Sequence, residues 1–118
     1  MIQYVSVPGS PVVEITAGGK ITDPELRDAM ERMKADLGEG KTRVLERIEH
    51  FSGIDPAALW TDIRLGVPLA QKITKAAIVA DAAWIRSLTD LAKVLTKAEV
   101  KTFRPDQIEE ARSWVSAD

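Results

Sequence analysis

Cysteine is absent from this 118-residue chain, and histidine occurs once, at His50. The first absence excludes disulfides, thiolate nucleophiles and cysteine-based zinc sites, and the second excludes multi-histidine metal cages. Carboxylates remain as metal ligands, but no Asp/Asn-rich loop of calcium-binding spacing accompanies them. Charge of one sign is also lacking. Sixteen Lys and Arg against eighteen Asp and Glu leave a net charge of -2, so no basic field exists to gather phosphate backbones or anionic headgroups. Nucleic acid is therefore not expected as a partner. No run approaches the ~18 apolar residues of a membrane span. Met1-Ile2-Gln3-Tyr4-Val5 carries no basic segment leading into an apolar stretch, so the expectation is a cytoplasmic chain not embedded in a membrane.

What is present fits one folded unit. Apolar residues make up 45% and charged residues 29%, which is ordinary globular usage and far from the composition of disorder. A chain of this length buries one core but not two, so residues 1–118 are read as a single domain. Ile2 to Val7 forms a short β-branched strand ending at Pro8-Gly9-Ser10-Pro11, and Val12 to Ala17 a second strand closed by Gly18-Gly19. So short a turn implies an antiparallel hairpin.

Thr22-Asp23-Pro24-Glu25 is a helix start with capping-box chemistry, and Leu26, Met30, Met33 and Leu37 then lie on one stripe up to Gly38 and Gly40. Thr42 to Ile48 reads as a third strand interrupted by charges. A second helix is expected from Asp55-Pro56 to Leu65, stopping near Gly66 and Pro68. Ala76 to Ala80 is a small, β-branched run suited to a parallel sheet covered on both faces. A third helix follows from Asp81 to Leu95. Val100 to Phe103 is the last strand, and Pro105-Asp106 opens a C-terminal helix. The order β-β-α-β-α-β-α-β-α predicts an α/β fold: a mixed, mostly parallel five-stranded sheet with an N-terminal antiparallel hairpin and about four helices.

Several segments in this order resemble the SpoIIAA-like family of small bacterial proteins. They are Gly19-Lys20-Ile21-Thr22-Asp23-Pro24-Glu25-Leu26, Glu49-His50-Phe51-Ser52-Gly53, Ala57-Ala58-Leu59-Trp60-Thr61-Asp62, Ala76 to Trp84, Ala98 to Phe103 and Ile108 to Val115. The likeness runs from about Val12 onward. It implies a STAS-like fold, as in anti-sigma-factor antagonists, also likened to lipid-binding CRAL-TRIO domains, and it implies no established activity. Ala80 stands where a Gly is common, Gln71-Lys72 where a His often falls, and Arg47 where an apolar residue is usual.

The candidate site residues carry two readings each. Ser52, placed after the third strand and beside Gly53, matches the loop where antagonists of this kind carry a phosphorylatable Ser; a phosphate there would reverse the local charge. Ser-Gly is equally an ordinary turn pair, and Asp55-Pro56 is the better helix start. His50 is a candidate polar site, as a proton carrier or pH sensor, because imidazole is the side-chain type whose unperturbed charge change falls between pH 5 and 8, or it is a structural or merely exposed histidine. Phe51, Trp60, Trp84 and Trp114 either wall an apolar pocket or interface, or pack the core. Glu46, Arg47 and Glu49 are pocket charges or strand-edge protection.

No cofactor is called for. The expected function is a noncatalytic binding or regulatory module docking a protein partner or a small apolar ligand, with homodimerisation through a Trp-bearing helix in view. A lipid or fatty-acid carrier is the alternative, and a small hydrolase or transferase built around His50 ranks below both.

Overall fold

In the computed structural model, which describes residues 1–6, 10–38, 40–54, 68–69, 71–81 and 98–117 but not the side chains of Phe51 and Ile54, the apolar runs line up as strands of one sheet. These are β1 (Ile2–Ser6), β2 (Val12–Ile21), β3 (Thr42–Ile54), β4 (Ile73–Val79) and β5 (Glu99–Phe103), side by side in that order. β1 and β2 pair antiparallel, as the short turn requires, and β2 through β5 are parallel. Two α-helices lie among the described residues, α1 (Asp23–Leu37) and α2 (Ile108–Ser116), the latter entered through a 3-10 turn at Pro105–Gln107.

Side chains alternate across a strand, and here the alternation feeds two apolar clusters, one on each face of the same sheet. Val44 joins Met33 of α1 and Leu69, with Tyr4, Ile15, Met30, Leu37 and Ile73 packed around them. Its neighbour Leu45 points the other way and is fully buried with Ala77, Val79 and Phe103 against Ala111 and Val115 of α2. The sheet is therefore covered on both faces, which explains why Ala77, Ile78, Val79 and Ala80 form a continuous buried run.

α1 begins as its sequence dictates. Glu25 Oε2 accepts from the Thr22 amide at 3.0 Å, the reaching-back bond of a capping box, and also from the Thr22 hydroxyl at 2.9 Å, with Pro24 in the first turn. These two bonds, the amide first, with a smaller contribution from the Met1 ammonium, lower the Glu25 carboxyl from its usual 4.5 to about 2. Gly38, at φ 53°, ends the helix and donates to the Lys34 carbonyl.

Several boundaries differ from expectation. β2 does not close at Gly18-Gly19 but runs through both to Ile21, because β3 continues beside it; β3 extends to Ile54 rather than stopping at Ile48. Pairing to a neighbour, not local composition, sets where these strands end. β4 begins at Ile73 rather than Ala76, since Thr42 already pairs there. The helix expected from Asp55 to Leu65, the one expected from Asp81 to Leu95 beyond Asp81 itself, and Pro8-Gly9 of the Pro8-Gly9-Ser10-Pro11 turn lie outside the described residues.

Two outcomes follow. Leu45→Ala should cost about 2–5 kcal/mol in urea unfolding, the range for emptying a buried leucine site. Glu25 has a lowered carboxyl, so its stabilisation is complete above 4.5 and is lost as pH falls toward about 2. Glu25→Gln should therefore be less stable than the parent at pH 7, with the gap closing across that window when unfolding is measured at a series of pH values.

Candidate functional site

Four parallel strands finish on one edge of the sheet, and in open α/β sheets that carboxyl edge is where ligands and partners are received. Lys20, His50, Ser52, Asp81 and Arg104 stand at or just beyond these strand ends.

The backbone is most irregular between β2 and β3. Gly18 pairs with Glu49, but Gly19 pairs with Phe51 and Lys20 with Gly53, so His50 and Ser52 have no opposite residue on β2. They are the extra residues of two successive β-bulges, devices that bend a strand and re-aim its side chains. Three backbone φ angles are positive within this short stretch: Gly19 at 60°, His50 at 47° and Gly53 at 145°. Gly18 is needed for a different reason. A Cβ at that position would lie 2.5 Å from the Glu49 carbonyl oxygen, so the two strands approach too closely for any side chain. A non-glycine residue with positive φ costs on the order of 1 kcal/mol and persists only where its surroundings enforce it; such residues cluster at functional sites.

His50 and Ser52 are both exposed. The sequence reading placed Ser52 in a loop after the third strand; it lies inside β3 instead, because the second bulge keeps the strand paired through Ile54. An exposed hydroxyl and an exposed imidazole, two residues apart on a bulged strand, offer hydrogen-bonding groups and an acceptor for modification. Beside them Arg47 Nη2 pairs with Glu49 Oε1 at 2.8 Å, both partly exposed. Among the described residues no group of three or more metal-ligating side chains occurs. Nor is any helix among them long and apolar enough to cross a membrane.

Of the aromatic candidates, the structure describes the side chain of Trp114. Trp60, Trp84 and the side chain of Phe51 lie outside the described residues. Trp114 is half-buried near the end of α2, its ring 6.0 Å from Phe103 and capped by Lys75 Nζ at 4.4 Å from the ring centroid. Lys75 Nζ also donates to the carbonyls of Trp114 and Ala117, at 2.6 and 2.9 Å. Arg43 Nη1 donates to those of Val115 and Ala117, at 3.1 and 2.8 Å. These two cations satisfy and neutralise the C-terminus of α2. Both stand near the starts of their strands. Arg43 is six residues before Glu49 on β3, or ~20 Å at ~3.3 Å per residue, so Trp114 and the bulge occupy opposite edges of the sheet.

Arg43 and Lys75 carry no local mark of this role, since a cation on a strand gives no sign of the helix it will cap. Gly18-Gly19 reads locally as punctuation. Glycines followed by further β-compatible residues are a known mark of a bulge or a close backbone approach, and that signal was present.

The SpoIIAA-like family model matches residues 12–116. Among solved structures, an uncharacterized protein with a SpoIIAA-like fold from Shewanella loihica PV-4 superposes with a TM-score of 0.80 at 20% identity, over 98% of this chain and 92% of that one. The anti-sigma factor antagonist SpoIIAA in its unphosphorylated form superposes with a TM-score of 0.58 at 13% identity, over 95% and 98% of the two chains. At these identities the likeness is one of fold. No curated protein matches the sequence.

The bulge geometry makes a direct forecast. Because His50 occupies the left-handed region, His50→Gly should leave stability unchanged or slightly raised. The β-branched variant His50→Val should lose about 1–3 kcal/mol, compared by urea unfolding.

Proposed function

Since the chain belongs to the SpoIIAA-like family, we propose that it is a noncatalytic regulatory module that docks a protein partner at the carboxyl edge of its parallel strands, with Ser52 as the residue whose modification controls docking. The observation that carries this reading is the double bulge. It presents His50 and Ser52 outward on a backbone held irregular by Gly18, Gly19 and Gly53. A flexible loop would lose conformational entropy on binding, whereas a segment already paired to β2 loses less, and this favours docking.

The similar fold of an antagonist named by its unphosphorylated form supports asking whether Ser52 is the modified group. A phosphoryl group on Ser52 would add up to two negative charges one residue before Gly53, the register partner of Lys20. That would change which surface the edge complements, leaving the core untouched. The balanced charge of the chain, -2 overall, makes one such addition a large local change.

The test pairs intact mass with partner binding. Protein isolated from its own host should carry a fraction with one added phosphate, mapped to Ser52. A partner recovered on the wild type should bind Ser52→Ala comparably and Ser52→Asp at least about tenfold more weakly, as expected for a like-charge clash at an interface. Equal binding by Ser52→Asp, or a stoichiometric apolar small molecule retained in native mass spectrometry, would replace this reading with docking elsewhere or with a carrier.

A further inference from the structure

The outer edge of β1 is built for pairing. Met1 and Gly18 exchange both backbone bonds, the Gly18 amide to the Met1 carbonyl at 2.8 Å and the Met1 nitrogen to the Gly18 carbonyl at 2.7 Å. In an antiparallel ladder bonded and non-bonded pairs alternate. Gln3 with Thr16 and Val5 with Glu14 are then bonded pairs, and the N–H and C=O of Ile2, Tyr4 and Ser6 face outward. No strand among the described residues pairs with that side.

Proteins usually protect such an edge with charge, proline or a bulge. Ile2-Gln3-Tyr4-Val5-Ser6 has none of these, and its register runs without a shift. The other edge strand, β5, carries exposed Glu99 and Lys101. The exposed large hydrophobic residues among the described residues are Met1, at 41%, and Val5, at 53%. Both belong to the unprotected edge.

We infer that β1 pairs antiparallel with β1 of a second copy of this chain, joining two sheets into one. The occupant follows from symmetry and charge. About a two-fold axis an antiparallel strand is its own complement, and an uncharged strand meets an equally uncharged one. Centring the axis on Tyr4 satisfies every outward group: Tyr4 bonds to Tyr4 of the second copy, and Ile2 to its Ser6. Val5 then lies against Gln3 of the second copy. The Tyr4 hydroxyl is not disturbed, because it donates to Asp36 of α1 at 2.7 Å on the sheet face rather than at the edge. A five-residue strand pair covers much less than the ~1,200 Å² of a standard interface, so the dimer is reversible. This inference is independent of the docking role given to Ser52, which lies on a different strand.

Sedimentation velocity and backbone hydrogen exchange on the full chain test it. Between about 10 µM and about 1 mM the mass should climb from one chain toward two, the range expected of so small an interface. The amides of Ile2, Tyr4 and Ser6 should slow over the same range while those of β5 do not. Ser6→Pro removes an outward donor without breaking a β1–β2 bond, and Val5→Lys sets a charge in the contact. Each should raise the dimer Kd about tenfold or more, with an unchanged circular dichroism spectrum. A single-chain mass at the highest concentration, or a dimer that survives in both folded variants, overturns the inference. So does protection of these amides only by an extended peptide of unrelated sequence. Should either variant unfold, the wild-type exchange pattern decides alone.

Discussion

Val44 and Leu45 are adjacent on the central strand and must point to opposite faces of the sheet, and the architecture depends on both being satisfied. Each is almost completely buried. A strand with apolar residues on successive positions has no solvent face, so it requires a helix on each side. α1 supplies one cover through Met33, and α2 supplies the other through Ala111 and Val115. A slip of one residue in the register of β3 would exchange the two faces and place Arg43 in a core. The bonds that tie α2 down confirm the same register from the other side: Arg43 and Lys75 reach its last carbonyls only when their strands present them to that face, and Arg112 reaches Glu14 of β2 at 3.2 Å.

The two edges of the sheet are built for different tasks. At the amino ends of the parallel strands, cations are consumed in capping α2, and Trp114 is held between Phe103 and Lys75. That edge is occupied by its own structure. At the carboxyl ends, the pairing of β2 with β3 is maintained only by inserting His50 and Ser52 as unpaired residues and by glycines where the backbones crowd. Strain of this kind is a cost to folding that a purely structural strand end would not carry. It makes the bulge the centre of the functional reading.

Much of this was legible in the residues. The Thr22-Asp23-Pro24-Glu25 cap, the Met30–Met33 stripe, the hairpin and the buried Ala77-Ile78-Val79 run all act within a few residues, so local pattern was enough to identify them. His50 and Ser52 also stand out as candidates in the sequence, but they lie within a bulged strand and not in a loop after it. Strand length was the weak point. Glu46, Arg47 and Glu49 made β3 look short, and Gly18-Gly19 made β2 look finished, because each was judged without its neighbour.

The five strands, the helix start at Thr22, the α/β class and the family likeness are written in the chain alone, since period, capping chemistry and motif order are local properties. Where β2 and β3 end, that His50 and Ser52 are bulge residues, and that Trp114 stands at the edge away from them are consequences of the assembled sheet. Those facts depend on which carbonyl meets which amide across strands, and on a close approach between Gly18 and Glu49 that residues 31 positions apart can make only once the sheet has formed.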